Sequence, residues 1–202
     1  MSGFAWAALA KTSAERAKFE DVRSPLDDQS FSLGGEVSPC LQVSFQRVTF
    51  TEVAPEVYFG VYTEEFEREW RDRLLRSALP PKFRDSPPFI LHSANVASLR
   101  PRPWSPNSPS DEDVVAVEQW LDRAFAYAAE RLPHSMTDLA AAIEANRIGD
   151  HPVGFYAGHP VKVRAFVDWT RRTHGVDLGA RLLPLLSDRT DPYDLKTMLG
   201  LP

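Results

Sequence analysis

With 202 residues, 43% of them apolar and 25% charged, the chain is long enough to bury a sizeable core in one large domain or two small ones. Its formal charge of −5 argues against non-specific nucleic-acid binding and favours a basic partner. The single cysteine, Cys40, excludes internal disulfides and fits a reducing cytoplasm, while the lack of any ~20-residue apolar run or basic-then-apolar leader gives no expectation of a membrane span or signal peptide.

In chain order, residues 4–22 read as a first helix, with Trp6, Leu9, Ala10, Ser13 and Ala17 on one stripe and Ser24-Pro25 as its stop. Ser30-Phe31-Ser32-Leu33 alternates as a short strand does, ended by Gly34-Gly35. Residues 41–47 also alternate, the sign of a half-buried strand, and the parity changes at Val48 and Phe50. Ala54-Pro55-Glu56 is expected to turn the chain into a returning strand over 57–62, which is β-branched and aromatic.

Thr63 is the expected N-cap of a helix running to about Leu79, with Glu64-Glu65 at the positive end of its dipole. Phe66, Trp70 and Leu74 form its apolar stripe. Glu64–Arg68, Glu67–Arg71, Glu69–Arg73 and Asp72–Arg76 are acid-before-base pairs at i,i+4, read as a solvated face. Pro80-Pro81 ends the helix, and Phe89-Ile90-Leu91 is a candidate strand. Residues 94–110 form a proline-rich connector, stiff and extended, pinned by Trp104. Such a segment is also the kind that aromatic grooves recognise, which makes Trp104 a candidate binding residue.

The second half is helical. Ser110 opens a helix whose stripe is Val114, Val117, Leu121, Phe125, Ala128 and Leu132. Ser135 caps another helix, lined by Leu139, Ala142, Ile143 and Asn146 and closed by Gly149. Residues 150–158 form an aromatic loop or short strand, and Pro160 opens a helix facing inward through Val163, Phe166, Val167 and Thr170 and ending at Gly175. Leucines 178–186 and a last turn after Asp191-Pro192 complete the chain. Sheet first and helices late point to an α+β fold: a small antiparallel sheet packed against helices in the N-terminal half, then a helical C-terminal half. The expected organisation is one domain over 1–202, divided into a sheet-containing part (1–93), the connector (94–110) and a helical part (111–202).

Catalytic signatures are sparse. Asp150, His151 and His159 share one glycine-containing loop and are the best candidates for a metal-assisted hydrolase. Zinc, however, takes three or four ligands at close spacing, and no HExxH or paired-cysteine motif is present, so the loop is read as structural, with no metal and no cofactor expected. No Gly-x-Ser-x-Gly elbow or phosphate loop occurs. Cys40 has no basic neighbour in sequence and reads as a buried strand residue. Asp188, Asp191 and Asp194 lack the glycine and terminal glutamate of an EF-hand.

The helix over 160–174 carries Lys162, Arg164, Arg171, Arg172 and His174 against Asp168 alone. Arg164, Arg171 and Arg172 partly share a face and are candidate binders of an acidic group, or else partners of acids on neighbouring helices. An acidic chain of this size without a catalytic signature fits a non-enzymatic cytoplasmic protein that binds another protein, as an inhibitor, an immunity-type protein or an accessory subunit does. The alternative is a hydrolase with His151 and His159 in its site.

Overall fold

The structure, a computed structural model, describes residues 3–22, 29–47, 53–76, 109–148, 151–152 and 160–185. Its class is α+β, as the order of sequence patterns implies. Helix α1 (Gly3–Arg16) precedes four strands, β1 (Glu20–Asp21), β2 (Gln29–Ser32), β3 (Ser38–Arg47) and β4 (Val53–Tyr62), which form an antiparallel sheet in the order β1-β2-β3-β4. Helices α2 (Glu64–Arg76), α3 (Asp111–Arg131) and α4 (Met136–Glu144) follow. A two-residue hairpin, β5 (Arg147–Ile148) with β6 (His151–Pro152), leads to α5 (Pro160–His174), α6 (Gly179–Leu182) and a 3-10 turn over Leu183–Leu185.

The sheet has two different faces, because alternate side chains of a strand point to opposite sides. One face is apolar. Phe31, Leu41, Val43, Val57, Phe59 and Val61 share it through the pairings Phe31↔Leu41, Leu41↔Phe59 and Val43↔Val57. α1 and α3 cover this face: Phe31 meets Phe125 edge-on at 5.4 Å, Phe59 meets Tyr127 at 5.2 Å, and Trp6 meets Phe45 at 6.0 Å between ring centroids. The stripes expected for α1 and α3 are the buried ones, with Trp6, Ala10, Ser13, Val117, Leu121, Phe125 and Ala128 inside.

The other face is polar yet also buried, which corrects the half-buried reading of β3. Ser30, Ser32, Ser38, Cys40, Gln42, Ser44 and Tyr58 lie on it, and none exceeds 7% exposure. Strand alternation reports polarity and does not report exposure. Three of these groups bond locally, the Ser32 and Ser38 hydroxyls lying 2.6 Å apart and the Tyr58 hydroxyl donating to the Glu56 carboxylate, whereas the Ser30 hydroxyl is buried without a hydrogen bond among the described residues. Cys40 feels the charges of Glu67 on α2 and Lys162 on α5, so these two helices stand on this side of the sheet.

Four boundaries differ from expectation. Helix α1 stops at Arg16, six residues before its expected end at 22, because Lys18 takes a left-handed conformation (φ 64°). The Phe19 N–H then donates to Ala14 O at 2.9 Å and the Lys18 N–H to Glu15 O at 3.1 Å, a Schellman stop usually built on glycine. Phe19 folds back as a buried contact against Phe125. Second, Ala54-Pro55-Glu56 does not turn the chain: Pro55 pairs with Phe45 inside β4. β4 ends the strand order, and an edge strand tolerates a residue with no N–H to donate.

Third, Thr63 caps α2 with its backbone alone. Its carbonyl accepts from the Glu67 N–H at 3.0 Å, and its buried hydroxyl makes no hydrogen bond. The N-caps of α3 and α4 and the end of α5 are as expected. Ser110 and Asp113 form a reciprocal capping box, the Ser135 hydroxyl accepts from the Asp138 N–H, and Gly175 ends α5 with φ 67°. Fourth, α4 stops at Glu144, and Asn146, expected to line it, is exposed in a left-handed turn (φ 53°) that ends the helix before Gly149, which lies outside the described residues. So do the candidate strand 89–91 and residues 94–108 of the connector.

Candidate functional site

The basic helix resolves into structure first. Lys162 does not join a surface patch: it is 3% exposed, and its Nζ donates to Glu67 Oε2 of α2 at 2.8 Å. Burial pulls the ammonium below the usual lysine range, with the Glu67 carboxylate opposing. Arg172 donates from Nε to Asp168 at 2.9 Å and from Nη2 to Glu69 at 2.7 Å. Arg171 stands 3.7 Å from Asp168, and Arg73 bonds Glu69 at 2.6 Å. Four of these charges alternate in sign across the α2–α5 seam, so Arg171 and Arg172 are engaged by acids of their own fold. Arg164 is exposed on the same helix.

Of the four i,i+4 pairs expected on α2, only Glu69–Arg73 closes among the described residues. Glu67 is drawn inward to Lys162, and Arg76 Nε donates instead to the Asp72 carbonyl at 3.1 Å. The helical wheel treats Glu67 as a surface residue because it is charged. Its place beside Phe66 and Trp70 on the buried side becomes understandable only once Lys162 is opposite.

His151 contributes backbone to β6, where it pairs with Ile148. Asp150, His159 and Trp104 lie outside the described residues. Among the described residues no group of three or more His, Cys, Asp or Glu side chains could hold a metal ion. Cys40 is buried, and desolvation, reinforced by Glu67, pushes its thiol up to about 12. A thiol so placed is protonated and inert at neutral pH.

A concave surface opens elsewhere, at the end of the sheet where β1 begins and β4 finishes. Glu20, Asp21 and Val22, then Ser32, Gly34 and Gly35, then Tyr62, Glu64 and Arg71 line a groove of about 310 Å³. Each wall has a local cause. The Schellman stop at Lys18 swings the chain into β1, which exposes Glu20 and Asp21. Gly34 and Gly35, at φ 83° and 116°, turn β2 into β3 in conformations that side-chain-bearing residues rarely take. Arg71 lines the groove from α2, whose Glu67, four residues earlier, is held by Lys162. Burial, then Glu67 and Glu64, hold the Tyr62 phenol above its usual range, so it is neutral and able to donate.

Sequence reasoning singles out none of these residues as a site. Glu20 and Asp21 fall inside the overlong first helix, and the remaining walls come from segments far apart in the chain. The glycine pair is the one local signal. No family model matches the chain, and neither a curated protein nor a solved structure does. No helix among the described residues is long and apolar enough to cross a membrane.

Proposed function

We propose that the chain acts in the cytoplasm by binding a protein partner, without catalysis, in the manner of an inhibitor, immunity-type protein or accessory subunit. The observation that carries this reading is the groove at the strand ends, whose lining includes three acidic residues, Glu20, Asp21 and Glu64, and one arginine, Arg71. Small-molecule and cofactor pockets are mostly apolar and enclose their ligand. A polar groove at a sheet margin suits an exposed segment of another chain.

The chemistry of that segment follows from the walls. A lysine or arginine side chain would find carboxylate acceptors on β1 and α2, with the Tyr62 ring as a flat face for its charge. Arg71 would donate to a main-chain carbonyl of the same segment. No strand lies beyond β1 among the described residues, so an extended partner segment could add to the sheet there. Several acids elsewhere are already matched internally: Glu118 and Asp122 by Arg16, Glu144 by Arg181, and Glu69 by Arg73 and Arg172. The overall charge of −5 adds long-range attraction for a basic partner. A single buried, reduced cysteine supports the cytoplasmic setting.

Affinity capture from the native host, run in parallel with the wild type and a Glu20→Lys, Asp21→Lys, Glu64→Lys variant, tests the proposal. The expected result is a basic chain retained in stoichiometric amount by the wild type, weakened by salt and lost with the variant. Equal retention by both proteins would move the binding surface away from the groove. Turnover of a hydrolysable substrate that a His151→Ala, His159→Ala double variant abolishes would replace the binding reading with the enzymatic one.

A further inference from the structure

We draw no further inference here: the strongest candidate, the cluster at the C-terminal end of α5 where Trp169 Nε1 and His174 Nε2 are buried without a hydrogen bond, carries nothing because nothing in the structure shows what would meet those two nitrogens.

Discussion

Lys162 and Glu67 are the most consequential single residues of the fold. Each is less than 10% exposed, and each supplies the counter-charge that makes burial of the other tolerable. Replacing Lys162 by Met removes the buried counter-charge of Glu67 and should cost ~3–5 kcal/mol, read as a lowered urea midpoint. Adding Glu67→Leu should restore most of that loss, since two apolar side chains need no pairing. A single variant as stable as wild type would mean that Glu67 reaches water. Cys40 beside the pair gives a pH signature. Below pH 9.0 its thiol is protonated in both folded and unfolded chains; from there to about 12 only the folded chain keeps the proton. The unfolded state therefore gains as pH rises, and the thiol's contribution to stability is lost through that window. Lys162, lowered by burial, has the opposite sign, so the comparison must isolate the thiol. The stability gap between wild type and Cys40→Ala should narrow between pH 8.5 and pH 10.5 in urea melts; a constant gap would contradict a buried, protonated Cys40.

At the level of elements, what sequence conveys is what local chemistry decides. Ser110, Ser135, Pro160 and Gly175 mark helix ends by bonds or dihedral limits confined to a few residues, and each stands where its pattern places it. The apolar stripes of α2 and α5 are equally legible, and they meet as Phe66 against Phe166 and Trp169, at 5.0 and 5.7 Å. Lys18 and Pro55 mislead because tertiary context overrides their preference: one accepts a left-handed turn so that Phe19 can reach the core, and the other sits on an edge strand. The polar face of the sheet misleads for a related reason, since Ser32 and Ser38 bond each other and need no water. Lys18 offers a direct check on this account of the α1 terminus. A left-handed lysine costs ~1–2 kcal/mol that glycine avoids, less the extra freedom that glycine has when unfolded. Lys18→Gly should raise stability by ~0.5–1 kcal/mol, seen as a higher melting temperature. A fall would show that the lysine side chain contributes more than its backbone costs.

For the whole molecule, the core was legible and the candidate site was not. Among the described residues the core is one contiguous apolar cluster from Trp6 to Leu182, assembled mostly from residues whose spacing marks them as inward, with Phe19, Trp120 and Trp169 as buried members that no expected stripe contains. The groove is a juxtaposition: a short edge strand, a glycine turn, the end of β4 and two turns of α2 meet only after the sheet has closed. Its acidic residues are exposed and share the groove with Arg71, so their attraction for a cation is expected to be modest and salt-sensitive, and to act more on association rate than on lifetime. The most direct test of the account is amide chemical-shift mapping with an extended peptide of alternating lysine and arginine, against an equally long glutamate peptide as control. The account predicts shifts confined to residues 20–22, 34–35 and 62–64 with the basic peptide, none with the acidic one, and loss of the response in the Glu20→Lys, Asp21→Lys, Glu64→Lys variant. Shifts centred on Arg164 and Arg171, or an equal response to both peptides, would contradict it.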